Sequence, residues 1–349
     1  MGVRERVDGF CARYGLRVPI LAAPMAGACP PELAIAVAQA GGMGAAGVVL
    51  DGPEQIAEWM RRFRDGSDGP VQLNIWIPDP PHDDPDRTAA AARFLAGMAE
   101  PGPEPPSGPD FAEQCEAMLA ARPTIVSSIM GRFDAGFVQR VHNGGIAWFA
   151  VATNLDDALA AQDAGADAVV AQGMEAGGHR GVIDPASAES TVIGLFALIP
   201  RLADRLDVPV IAAGGIADGR GVAAALVLGA SAVQVGTALL RTPEAGIPER
   251  WSAALADLDP EGTTPTRAYS GRLGRAVRTS YVAAWEAPDA PRPAPYPHQG
   301  RLVARYRRGD PGKVDPVSFW AGQSAGLARA VPAAEVVTSM WEEASALLA

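Results

Sequence analysis

The chain has 349 residues, enough for one large α/β barrel or two smaller domains. Hydrophobic residues make up 48% and charged residues 20%, which excludes a disordered composition. The formal net charge of -11 argues against a nucleic-acid partner, which needs surplus Lys and Arg gathered in a patch. The opening MGVRERVDGF lacks the apolar stretch of a signal peptide, and no apolar run is long enough for a membrane span. Cys11, Cys29 and Cys115 are sparse, odd in number and without paired metal spacing. Together these features predict a soluble cytoplasmic protein with no membrane contact; a homodimer is compatible with them.

Along the chain, short apolar runs alternate with helix-like segments. In order the runs are Pro19 to Pro24, Met43 to Val49, Val71 to Ile77, Thr124 to Met130, Gly145 to Ala152, Ala166 to Gly173, Val208 to Gly215 and Ala232 to Leu240. Unbroken apolar runs are the mark of strands buried on both faces. The connections carry helix signals. PPELAIAVAQAGG begins with prolines and ends on Gly41-Gly42, and NLDDALAAQDAGA begins with Asn154 as a cap followed by acids. ADGRGVAAALVLGA has the same layout. Eight buried strands alternating with helices predict a (β/α)8 barrel. An open doubly wound sheet is the alternative, but nothing marks a reversal of strand order.

Two proline-rich stretches interrupt this rhythm. Residues 79–110 contain PDPPHDDPD and EPGPEPPSGPD around a helix expected at Thr88 to Ala99, and 242–316 include APDAPRPAPYPHQG. The predicted division is a barrel from 1–78 and 111–241, with 317–349 packed on it. Residues 79–110 and 242–316 would form a smaller lid lobe over its mouth. The basic cluster Arg301, Arg305, Arg307 and Arg308 reads as a solvated helix face.

In such barrels the reactive face lies at the C-terminal ends of the strands, and the loops after the last two strands often bind phosphate. IAAGGIADG and VQVGTALL stand at those two places. Gly214 and Gly215, then Gln234, Val235, Gly236 and Thr237, would bring backbone amides and a hydroxyl to an anion. Alternatively the glycines only make tight turns; the pair of motifs favours the anion. Pro24 and Met25 end the first strand, where Met can pack on an aromatic ring system or simply fill core. Asn74, Gln172 and Gln234 are amides in apolar runs, needing partners from a heterocycle or from neighbouring backbone.

AQGMEAGGHRG follows the sixth run. Gly177 and Gly178 would let the chain lie against a flat cofactor and leave His179 projecting into the site. Its unperturbed pKa suits proton transfer near neutrality. A loop histidine is otherwise more often structural; the position above a cofactor site reverses that. Arg180 could offset an anionic substrate or pair with a surface acid, and Glu175 could orient His179 or start a helix. His82, His142 and His298 have no metal-ligand spacing, and no metal is expected. P-loop, G-x-S-x-G and strand-one G-x-G-x-x-G motifs are absent from the sequence.

PILAAPMAG, VQLNIW, VVAQGMEAGGHRG, VPVIAAGGIADG and AVQVGTALL, with YPHQGRLVARYRRGD and SFWAGQSAGLAR, resemble the nitronate monooxygenase family over nearly the whole chain. The resemblance implies an FMN enzyme that oxidises alkyl nitronates with dioxygen to carbonyl compounds and nitrite, with His179 as base where neutral nitroalkanes are used. It implies FMN contacts at Asn74, Gln172, Gly177, Gly214 or Gly215, and Gln234 to Thr237. EPGPEPPSGPD matches no family motif, and SGRLGRAVRTSY resembles the family's SGR-x-x-R segment only loosely. Two rivals stand beside it. A flavin-dependent enoyl-acyl-carrier-protein reductase shares the barrel and a GGH motif, though its loop reads closer to ESGGHIG. A non-catalytic flavin-binding protein would keep the site without turnover.

Overall fold

The computed structural model describes residues 2–80, 82–309 and 317–349. The eight apolar runs form eight parallel strands. They are β1 (Ile20–Ala22), β2 (Gly44–Gly47), β3 (Val71–Trp76), β4 (Ile125–Ile129), β5 (Ala147–Ala152), β6 (Ala168–Gln172), β8 (Val210–Ala213) and β9 (Ala232–Val235). Their spatial order is β1-β9-β8-β6-β5-β4-β3-β2, and a parallel bridge between Leu21 and Met43 joins the two ends. The result is a (β/α)8 barrel. Residues of β4, β6 and β8 are almost all buried, because one side of each strand faces the barrel interior and the other the helices.

The connecting helices start where their capping residues dictate. Asn154 accepts the N–H of Asp157 before helix Leu155–Asp163, and Asp218 accepts that of Gly221 before helix Gly219–Val227. Glu343 of the C-terminal helix Ala333–Leu347 accepts the Gly219 N–H at 2.8 Å, tying residues 333–347 to the barrel. Two expected boundaries move. The helix expected at Thr88 to Ala99 runs Pro85–Ala96, because Asp84 caps it through the Arg87 N–H and Pro85 suits the first turn. The last run leaves the sheet at Val235, and a short 3-10 turn, Thr237–Leu239, follows.

A second, antiparallel sheet lies at the mouth. It comprises β7 (Gly178–His179), β10 (Thr263–Thr266) and β11 (Gly274–Val277), in the order β10-β11-β7. Ala91 and Leu95 of helix Pro85–Ala96 share one apolar cluster with Tyr269, Tyr281, Val303 and Tyr306, so both proline-rich stretches contribute to this layer. The part of the expected lobe at 310–316 lies outside the described residues. The basic cluster is more than a solvated face: Arg305 donates to the Gly102 carbonyl at 3.0 Å and pairs with Glu104 at 2.9 Å, holding the loop before residue 110.

Candidate active site

His179 does not sit on a free loop. Gly178 and His179 pair with Arg275 and Gly274 of β11, which fixes the histidine backbone at the junction of barrel and small sheet. Its ring lies 4.5 Å from Trp76 and 4.6 Å from Trp320, centroid to centroid. Nε2 is 2.7 Å from Ser270 Oγ. Burial, and secondly the nearby Arg272 cation, push the imidazole pKa down to about 3, so the ring is neutral through the physiological range. Ser270 Oγ also lies 3.3 Å from the Arg272 carbonyl and accepts the Arg272 N–H at 3.2 Å. In the tautomer with hydrogen on Nε2, Ser270 accepts it and its own proton turns to that carbonyl. The Nδ1 lone pair is then the one left to take a proton.

The two charged neighbours in the motif have other tasks. Arg180 is 5% exposed and pairs with no acid among the described residues. Its guanidinium donates to the carbonyls of Gly173 at 2.7 Å, Gln172 at 3.2 Å and Thr191 at 3.3 Å, and burial pushes its pKa down to about 10. Buried backbone carbonyls are the partners that sequence reading could not see. Glu175 does not orient His179; its carboxylate accepts the Leu195 N–H at 3.0 Å and caps helix Leu195–Ala203. Arg275 donates to the Met174 carbonyl at 3.0 Å, so three charged side chains hold the ends of the His179 segment.

The three expected amides divide. Gln172, last residue of β6, donates to the His179 carbonyl at 2.9 Å and accepts the Gly181 N–H at 2.7 Å, so both ends of its amide grip the histidine segment. Asn74 donates to Ser127 Oγ at 2.9 Å, leaving its oxygen without a protein donor among the described residues. Gln234 accepts from Gln72 Nε2 at 3.2 Å, and its own NH2 has no acceptor among the described residues. Gln72 Oε1 is itself buried without a partner among the described residues. Met25 lies beside the last of these strands: a Cβ built on Gly236 would stand 3.4 Å from its sulfur and 3.2 Å from Ala23 Cβ. Pro24 is half-buried next to it.

The loops after β8 and β9 are joined by one short segment. Gly322 N–H donates to Thr237 Oγ1 at 2.9 Å, and Ser324 Oγ donates to the Gly215 carbonyl. The N–H groups of Gly215, Gly236 and Thr237 have no acceptor among the described residues. Gly214 and Gly215 have φ of +126° and +66°, conformations open to glycine, which turn the loop back after β8. Unused amides at neighbouring loops form a place for an anion. The other glycines serve the chain itself. Gly177 lies so close to Ala321 and Gly322 that a Cβ would meet the Gly322 nitrogen at 2.5 Å. Gly178 has φ of +76° and open space where a side chain would project.

Trp76, Ser270, Arg272 and Trp320 surround His179 without having been singled out in the sequence. Trp76 stood inside VQLNIW and Trp320 inside SFWAGQ, so an indole beside each motif was the available signal. Ser270 and Arg272 lie in SGRLGR, whose loose match concealed their role. His142 pairs with Asp167 at 3.0 Å and His298 with Asp83 at 2.8 Å.

Unused backbone amides and a neutral imidazole thus lie at the C-terminal face of a (β/α)8 barrel, the face at which enzymes of this fold carry their active sites. The nitronate monooxygenase family model matches residues 11–343, and the chain belongs to that family. A nitronate monooxygenase from Paraburkholderia phytofirmans is 39% identical over 345 residues, covering 94% of this chain and 93% of that one. The structure of nitroalkane oxidase from Streptomyces ansochromogenes is similar with a TM-score of 0.86 and 32% identity, covering 95% of this chain and 97% of its own. FabK from Thermotoga maritima is also similar, with a TM-score of 0.75 and 26% identity over 97% of this chain and 96% of its own. Family membership carries with it a flavin cofactor and a small-molecule substrate. Among the described residues no helix is long and apolar enough to cross a membrane.

Proposed function

We propose that this chain oxidises alkyl nitronates with dioxygen, using FMN, and that His179 serves as the base when the substrate is a neutral nitroalkane. The observation that carries the reading is a neutral, half-buried imidazole and unused backbone amides at one barrel mouth. The residues fit a phosphate-bearing flavin. The amides of Gly215, Gly236 and Thr237 would hold its phosphate. Pro24, Met25, Asn74, Gly178, Gln234 and Val235 would border its ring system, while Gln172, Gly177 and Gly214 keep the bordering loops in place. Bound there, the flavin would supply an electron acceptor beside His179.

The chain's own part is to bind, orient and move a proton. Neutral His179 can take the proton on the carbon bearing the nitro group. Its low proton affinity rises as negative charge develops on the adjacent nitronate, because an opposite charge favours the imidazolium. Trp76 and Trp320 flank the ring, and Ser270 and Gln172 hold its side chain and backbone. Three buried free cysteines, Cys11, Cys29 and Cys115, suit a reducing cytoplasm.

The test is spectroscopic. Purified protein should be yellow and release FMN on denaturation, and an alkyl nitronate added without oxygen should bleach the flavin. A colourless protein that takes up no FMN overturns the flavin assignment. Consumption of NAD(P)H with an enoyl thioester, together with indifference to nitronates, would assign the chain to reduction instead. A yellow protein that nitronates do not bleach would be a binding protein only.

A further inference from the structure

A cavity of about 870 Å³ lies outside the His179 cluster, between Asp79, Pro80 and His82 on one side and the loops at 184–189, 267–272 and 292–296. That volume suits a ligand far larger than a short nitroalkane. It adjoins the site through two shared walls. Gly271 and Arg272 line it, and Ser270, directly before them, holds His179. Tyr296 lines it too, and its ring lies 6.1 Å from Trp76, which in turn lies against His179.

The cavity's charges are unevenly matched. Arg272 is engaged with Asp79, and Arg267 with Glu189 at 2.7 Å. Asp184 is turned to the Ala186 N–H at 2.9 Å. Arg87 uses only Nε, toward the Pro293 carbonyl, so both its terminal nitrogens have no acceptor among the described residues. Arg292 has no hydrogen bond or ion pair among the described residues. Burial, then the charges of Arg267 and Arg292, lower the Arg87 pKa, with Asp84 opposing. Like charges gathered around a cavity with unused N–H donors are arranged for an anion.

We infer that this cavity receives the far end of an extended substrate, and that Arg87 and Arg292 bind an anionic group there, a carboxylate or a phosphate. The nitronate end would lie at His179, and an alkyl spacer would run past Trp76 and Tyr296. This rests on the nitronate reading for the reacting end alone.

The test uses the flavin-loaded enzyme and preformed nitronates of ω-nitro fatty acids of increasing chain length. Their methyl esters and the ω-nitroalkyl phosphates of equal length are the comparisons. Beyond a threshold length the acid or the phosphate should have a KM roughly 10- to 100-fold below that of the ester, as expected for charge-assisted hydrogen bonds. Which of the two is favoured distinguishes the carboxylate from the phosphate. Arg292→Gln, at an exposed position, should narrow that ratio, and R87Q/R292Q should bring it close to one. Equal KM values for acid, phosphate and ester at every length overturn the inference, as does a ratio that survives the double substitution. If no nitronate is turned over, the proposed reaction fails separately. The cavity is then tested by calorimetric titration with a long saturated dicarboxylate: binding lost in R87Q/R292Q supports the subsite, and absence of binding to the native chain overturns it.

Discussion

His179 Nε2 and Ser270 Oγ meet at 2.7 Å across 91 positions of sequence, one from the short strand β7 and the other from the segment between β10 and β11. The contact holds the ring by Nε2 and leaves Nδ1 as the nitrogen that can take a proton. Gly274 pairs with His179 in the same sheet, so backbone and side chain of the histidine are both held from the 270s. A base fixed in this way loses little freedom on meeting its substrate.

Replacing the base should separate two kinds of substrate. His179→Asn should lower turnover of neutral nitroalkanes by about 10²- to 10⁴-fold, the usual worth of general-base catalysis. Preformed nitronates have already lost the proton and should be affected far less. Steady-state kinetics with a nitroalkane and its own nitronate compare the two; equal losses would assign His179 to binding the anion instead.

Ser270→Ala tests the positioning contact. The imidazole loses this side-chain partner, and nitroalkane turnover should fall about three- to tenfold, in line with one neutral hydrogen bond. The loss should appear in kcat rather than KM, with nitronate oxidation less affected. A change confined to KM would point to substrate binding.

The depressed pKa of His179 has a consequence for stability. The unfolded chain takes up a proton near pH 6.5, whereas the folded imidazole does so only near about 3. Between those values the unfolded state binds more protons, so this contribution to stability is present above about pH 6.5 and is lost as pH falls toward 3. Urea midpoints measured across that window should drop less steeply for His179→Asn than for the native chain. Parallel slopes would show that the histidine titrates normally in the fold.

Arg272 and Asp79 form a buried pair, 2% and 12% exposed at their side chains, which ties the start of the first proline-rich stretch to the segment carrying Ser270. Breaking one side leaves the other charge buried, at a cost of about 3–5 kcal/mol. Asp79→Asn and Arg272→Met should each lower the denaturation midpoint. The double substitution should be less destabilised than the sum of the two, as a double-mutant cycle would report.

Thr237→Val removes the acceptor of the Gly322 N–H while keeping the side chain's shape. The amide cradle loses its link to the C-terminal segment, and FMN affinity should fall about tenfold, measured by flavin fluorescence on titration. Unchanged affinity would place the phosphate elsewhere.

The sequence by itself determined the barrel. Strands buried on both faces must be continuously apolar, and short helices between them must start and stop on caps, prolines and glycines, so β1 to β6, β8 and β9 were legible one by one. The glycine-rich loops were legible for the same local reason. Tertiary structure alone decided the surroundings of His179. A strand of two residues, Gly178–His179, has no periodicity to detect and exists only because β11 pairs with it. Ser270, Arg272 and Trp320 reach the histidine from distant segments. Arg180 exchanged the acid expected beside it for backbone carbonyls. Local pattern reports which face of an element is buried; what each polar group meets there is set by segments that come together only when the chain folds.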